Sequence, residues 1–230
     1  MKYFETSTSS EFLSKEGNKL AMPRVRIKYQ SDTKDVLEKI RNLDDPIHVK
    51  VLEYLTLWSF EKEEYWELIL PEFLNFSPPI MNYSVVISQR LYTALVDFGA
   101  IEHLYIYSAN LIFKGEIAPF YMVVFSLESI DDVVDFDAST YAIVDRKSGI
   151  VEQDYLETIN SFGNFIEHKK LFRKKNELLD LQIVHTVMKD NIHFIEYLGT
   201  SRWIVSEPFY NYLLTQDLRG IEFMEFNRTS

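Results

Sequence analysis

Hydrophobic positions recur with two periods along this chain, and capping residues, prolines and glycines mark the switches between them. The first 30 residues are irregular, Ser/Thr-rich at 6–10 with Gly17 further on. Val36, Leu37 and Ile40 then share a face behind Ser31 or Asp32, which predicts a helix over 33–43. Asp45-Pro46 is a second start signal, an acid followed by proline at the first helical position. Ile47, Val51, Leu55 and Trp58 continue at helical spacing to about residue 60. Tyr65 to Leu70 reads as a short strand closed by Pro71, and Pro78-Pro79 as a rigid extended joint.

Beyond the joint, strand signals dominate. Tyr83–Ile87 is strand-like, Ser88 caps a helix to about Phe98, and Gly99 ends it. Ile101–Tyr107 and Ala118–Leu127 are rich in aromatic and β-branched residues and read as strands. Val133–Phe136 and Tyr141–Asp145 read as shorter ones. Arg146-Lys147-Ser148-Gly149 is a turn, after which Ile150-Val151 resumes a hairpin. Residues 154–166 read as a helix, and Gln182–Met188 and Ile192–Leu198 as strands around the turn 189–191. Trp203–Val205 is a strand, Ser206 a cap, Pro208 the first helical residue, and Gly220 turns the chain into a last strand, Ile221–Phe226. The expected class is α+β, a mainly antiparallel sheet flanked by helices, with a small, mostly helical N-terminal part. The expected division is 1–80 and 81–230, either as two parts or as one compact unit.

A strand, a serine, a helix and a return strand occur twice, from Ile87-Ser88 to Ile101-Glu102 and from Val205-Ser206 to Ile221-Glu222. Duplication and a common local solution are both open readings of that echo.

Charge sharpens the picture. The chain has 230 residues and a net charge of −11. Residues 46–160 hold 18 acidic and 6 basic side chains, so the excess lies in the middle. That balance argues against a phosphate-backbone binder, which needs clustered Lys and Arg. It fits attraction of a basic partner, and equally a solvated face that aids solubility. There is no cysteine, which removes disulfides, thiolate nucleophiles and thiolate metal sites. The start of the chain has no signal-peptide pattern, and no apolar run spans a bilayer, so the expected home is the cytoplasm.

Catalytic signatures are missing. Ser88 and Ser206 follow strands and precede helices, as a nucleophile elbow does, but neither has the flanking glycines, and capping accounts for both. His185 and His193 would face each other across the expected hairpin near Glu196, short of the three or four convergent ligands a metal takes. The cluster Lys169, Lys170, Arg173, Lys174 and Lys175 reads as a solvated face, since the molecule repels polyanions. The densest acidic run is Glu128, Asp131, Asp132, Asp135 and Asp137. It lacks the spacing of a calcium loop and reads as a strand edge kept from edge-to-edge pairing by charge, or as a docking patch.

From about Tyr83 to Phe226 the chain resembles the α+β immunity proteins of bacterial polymorphic toxin systems. The likeness is carried by SVVISQRLYTAL, by VVDFDAST, by QIVHTVMKDNIHFIEYL leading to RWIVSE, and by the closing LRGIEF. The resemblance implies a protein that is not an enzyme, needs no cofactor, and binds a cognate toxin domain so as to block its active or substrate-binding surface in competition between bacteria. A nuclease-like toxin would be basic, and an acidic partner would speed association. The expected toxin-binding set is Glu128, Asp131, Asp132, Asp135 and Asp137 with Tyr105 and Tyr107 as aromatic anchors, and Phe120 and Tyr121 nearby. An enzyme with a scattered site, marked by a deep polar pocket, and a homo-oligomeric module, marked by an exposed apolar patch, stay open beside it.

Overall fold

The computed structural model describes residues 2–8, 14–15, 18–19, 23–27, 49–56, 71–76, 84–113, 116–125, 129–189, 191–197 and 202–226. The class is α+β. Contacts divide the chain into two units, residues 1–126 with 193–225, and residues 127–192 with 226–230.

The first unit is built on a closed six-stranded barrel. Its strands are β4 (Pro23–Ile27), β5 (Val49–Thr56), β6 (Phe73–Phe76), β7 (Ser84–Ser88), β8 (Leu104–Phe113) and β9 (Glu116–Phe125), in the order β4-β5-β8-β9-β7-β6. Among the described strand pairs only β4–β6 and β5–β8 run parallel. Register places Val86, Tyr107, Ala109, Phe120 and Met122 on one face of β7, β8 and β9, and all are buried. A six-stranded barrel is narrow enough for such side chains to fill it. A four-stranded antiparallel sheet belongs to the same unit, with β1 (Tyr3–Thr8), β13 (Phe194–Glu196), β14 (Trp203–Ser206) and β15 (Ile221–Glu225) in the order β13-β14-β1-β15. β2 (Ser14–Lys15) and β3 (Asn18–Lys19) form a two-stranded antiparallel ladder.

Both strand–serine–helix passages form as the capping signals predict. Ser88 accepts from Leu91 N at the start of α1 (Gln89–Phe98), and Ser206 accepts from Phe209 N at the start of α4 (Glu207–Leu213), which carries Pro208 in its first turn. Gly99 closes α1 with φ 77, a conformation that costs a residue with a Cβ. The two helices meet through Phe98, whose ring lies 4.9 Å from Phe209 and 5.2 Å from Tyr212.

The second unit is a three-stranded antiparallel sheet, β11-β10-β12, with β10 (Val134–Asp145) central, β11 (Val151–Tyr155) on one side and β12 (Leu179–Met188) on the other. The short α2 (Ile130–Val133) leads into β10, and α3 (Phe162–Lys175) packs on the sheet through Tyr141–Phe165, Phe136–Phe162 and Tyr155–Phe172.

Several expectations are corrected. Residues 49–56 form β5, not a helix. The spacing Val51–Leu55 fits both periods, and pairing with β4 and β8 selects the strand. Every described element before residue 80 is a strand, and the remaining residues of the expected helical N-terminal part lie outside the described residues. The expected helix at 33–43, the strand at 65–70 and the Pro78-Pro79 joint lie outside the described residues. The strands on either side of that joint, β6 and β7, pair antiparallel in one barrel, and the contacts divide the chain at 126 and 193. The helix expected at 154–166 begins at Phe162, where Ser161 accepts from Asn164 N. The strands expected to form a hairpin around 189–191 join different sheets, β12 pairing with β10 and β13 with β14, so His185 and His193 do not oppose each other.

Candidate functional site

The acidic run of the second unit is distributed over two structural jobs and one open surface. Asp131 is exposed, yet its Oδ1 accepts from Phe162 N at 2.7 Å. It thereby satisfies a donor at the start of α3 that the helix itself leaves open, where negative charge is also favoured. Lys189 Nζ donates to the Asp131 carbonyl, at 2.5 Å. Asp132 is exposed. Asp135 is half-buried and its Oδ1 accepts from Ala138 N at 3.1 Å.

That last bond shapes an irregularity in β10. Asp135 pairs with Val187 and Thr140 with His185, so five steps along β10 oppose two along β12. The surplus residues bulge out, as extra residues in a ladder do. Ser139 fastens the bulge at both ends, its Oγ donating to the Asp135 carbonyl at 2.6 Å and accepting from Val187 N at 3.0 Å. Tyr141 OH donates to the Phe136 carbonyl at 2.7 Å. The bulge is thus a built feature, and it turns Asp137 outward.

Asp137 lines a concavity of about 490 Å³ with Ser139, Thr140, Asp154, Tyr155, Leu156, Glu157 and Ile159 among its walls. The far wall is the end of β11 and the segment after it. Tyr155 fixes that segment to α3, its hydroxyl hydrogen-bonded to His168 Nδ1 and its ring edge-on to Phe172 at 5.4 Å. Glu157 Oε2 stands 3.6 Å from the same His168 Nδ1. Burial, then the hydrogen bond and charge of Glu157, push the Tyr155 hydroxyl up to about 12, so it stays protonated at neutral pH. Asp137, Asp154 and Glu157 give the concavity three carboxylates. Among the described residues, Asp132, Asp137, Glu152 and Asp154 have no ion pair. Among the described residues no three or more His, Asp or Glu side chains cluster so as to hold a metal ion.

Sequence reasoning missed Asp154, Leu156 and Glu157, because 154–166 reads as helix. The signal that would have found them is the cap pair Asn160-Ser161, which starts the helix later and leaves 156–160 as loop. Of the expected set, Glu128 lies outside the described residues. The tyrosines belong to the first unit. Tyr105 is 38% exposed on β8, whereas Tyr107 is 2% exposed inside the barrel and presents no surface to a partner. Phe120 is buried there too, and Tyr121 is engaged by stacking on Tyr92 at 4.0 Å and by donating to Gln89 Oε1 at 2.7 Å.

Among the described residues a serine and a histidine pair. Ser206 Oγ and His193 Nδ1 lie 2.8 Å apart, with Phe98 edge-on to the imidazole at 4.9 Å. Burial holds the imidazole below its ordinary range against the opposing charge of Glu102. Ser206 is 0% exposed, its φ of −70 and ψ of 154 are relaxed, and its Oγ caps α4. It lacks the strained, exposed turn of a nucleophile elbow. Ser88 is likewise occupied, accepting from Leu91 N and donating to the buried Glu72 carboxylate.

No protein-family model matches the chain, and a comparison with curated proteins finds no match. No described helix is long and apolar enough to cross a membrane.

Proposed function

We propose that the protein is an immunity protein that binds a basic bacterial toxin domain and neutralises it by covering its active or substrate-binding surface. The observation that carries this reading is the acidic surface of the second unit, where Asp132, Asp137, Glu152 and Asp154 have no ion pair among the described residues. Residues 127–168 hold ten acidic and two basic side chains, and Asp137, Asp154 and Glu157 converge on one concavity. Carboxylates left without cations raise a potential that steers a basic partner and suppresses an acidic one. The surface is stiffened by the Ser139 and Tyr155 bonds, and a preformed surface loses less freedom on binding. In this reading the protein is not an enzyme, takes no cofactor, and acts in the cytoplasm.

The test is capture of the tagged chain from its native cells at low and moderate salt, with the bound proteins identified by mass spectrometry. The expected result is one stoichiometric partner ending in a basic toxin domain, released as salt rises. Recovery of the chain alone or only with itself overturns the reading in favour of an enzyme or a homo-oligomer.

A further inference from the structure

We infer that the toxin-facing contact is made by strand addition: the free edge of β11 accepts an extended, basic segment of the partner as a fourth strand of the β11-β10-β12 sheet. The inference rests on the proposed immunity reading and names the part of the acidic surface that is used.

β11 ends the sheet, and its backbone groups on the side away from β10 have no described strand to pair with. Proteins commonly cover or blunt such an edge, because it is a template for another chain. Here charge and a bulge mark the edge, and among the described residues no strand pairs with it. Val151 to Asp154 are all exposed, and the flanking apolar side chains are open as well, Ile150 at 62%, Val151 at 51% and Leu156 at 92%. An apolar residue as open as Leu156 gains most from a partner. Between these anchors stand Glu152 and Asp154, with Glu157 just beyond. The arrangement is apolar at both ends and anionic in the middle.

That pattern selects the occupant. A second copy of this chain would bring its own Glu152 and Asp154 against these, and like charges across a strand pair are unfavourable. A strand with Lys or Arg at alternate positions meets opposite charges and still makes the main-chain bonds. The concavity beside the edge suits the same chemistry. Leu156, Ile159 and Val184 offer apolar wall to the stem of a Lys or Arg, while Asp137, Asp154 and Glu157 meet its charged head. The hairpin turn positions the edge firmly. Asp145 Oδ1 accepts from Lys147 N at 2.9 Å and Ser148 N at 2.8 Å, and Gly149 takes φ 71 to complete the turn. A bulge at Glu152, where Ile143 pairs with Gln153 but Val144 with Val151, sets the register of incoming side chains.

The test uses the full isotope-labelled chain and a synthetic nine-residue peptide of alternating Lys and Val, beside its alternately N-methylated form and its Glu-for-Lys form. The expected result is shifted resonances and slowed amide exchange at residues 151–157. N-methylation should weaken binding tenfold or more, the Glu peptide should not bind, and Asp154→Asn with Glu157→Gln should weaken the Lys peptide several-fold in a chain whose other resonances are unchanged. Equal binding of the N-methylated peptide, or shifts confined to other elements, overturns strand addition. Capture from native cells with the triple variant Glu152→Lys, Asp154→Lys and Glu157→Lys separates the two claims. If that variant still retains an identified basic toxin domain, the immunity reading stands and the β11 inference falls. If the peptide adds to β11 while the wild-type chain captures no toxin domain, the edge stands and the immunity reading falls.

Discussion

The two outer strands of the β11-β10-β12 sheet treat their carboxylates in opposite ways. On β12, Asp180 is buried and tied down: Arg173 of α3 donates from Nε and Nη2 at 3.0 Å each, and Lys169 Nζ stands 3.3 Å away. On β11, Glu152 and Asp154 are exposed and without cations among the described residues. The basic cluster of α3 is therefore not a uniform solvated face. Two of its members hold the helix to β12, while Lys170, Lys174 and Lys175 are not paired with Asp180. An acid on a strand is structural where a helix supplies cations and excludes water, and available for a partner where neither happens.

The largest expected effect comes from breaking the covered side. Asp180→Ala leaves Arg173 and Lys169 without their acceptor and should cost about 1–3 kcal/mol, because charged hydrogen bonds are lost from a buried acid while the cations themselves stay partly in water. Chemical denaturation of the variant beside the wild type reads this as a lower midpoint with an unchanged slope.

Acid should expose the same contrast. Burial alone would raise the Asp180 carboxyl, but the Arg173 hydrogen bond and the Lys169 charge outweigh it and hold it below its ordinary value. The folded state then binds fewer protons than the unfolded one. The stabilisation is complete above the unfolded carboxyl value of about 3.9 and is lost as pH falls through the lower folded value. The wild type should lose more stability than Asp180→Ala over that interval. Equal slopes would show that the carboxylate is not held.

Asp131 stands between the two cases, exposed yet capping α3. Asp131→Ala should cost about 1 kcal/mol as Phe162 N loses its acceptor, whereas Asp132→Ala should be near neutral. Thermal melts of the pair check this, and equal melting temperatures would remove the capping role. The smallest effect on stability belongs to the open side. Glu152→Lys with Asp154→Lys should shift stability by no more than about 0.5 kcal/mol, as surface changes do. The same change should slow association with a basic partner about tenfold at low salt, with the difference shrinking as salt screens it. Stopped-flow association at two ionic strengths measures it.

Local signals carried much of the fold. Ser88 and Gly99 bracket α1, Ser206 and Pro208 open α4, and Gly149 ends the hairpin turn, because each acts on its own few neighbours. The misreadings share a cause. Val49–Thr56 fits two periods, and only β4 and β8 decide between them. Val133–Phe136 and Tyr141–Asp145 read as separate strands, and β12 holds both in one interrupted strand. Of the candidate site, the sequence exposed the acidity but not its assignment. Asp131, Asp135 and Asp137 lie within seven residues, yet one caps a helix, one closes a bulge and one faces the concavity.

By itself, then, the sequence determined what depends on residues within a turn of each other: caps, turns, strand-forming runs, the absence of thiol chemistry and the excess of negative charge. The tertiary structure decided which strands pair, that Tyr107 fills a barrel, that Asp180 receives cations while Asp154 does not, and that β11 is left as an edge. Those outcomes depend on partners distant in the chain, and the energy that selects them comes from burial and pairing, which no local window contains.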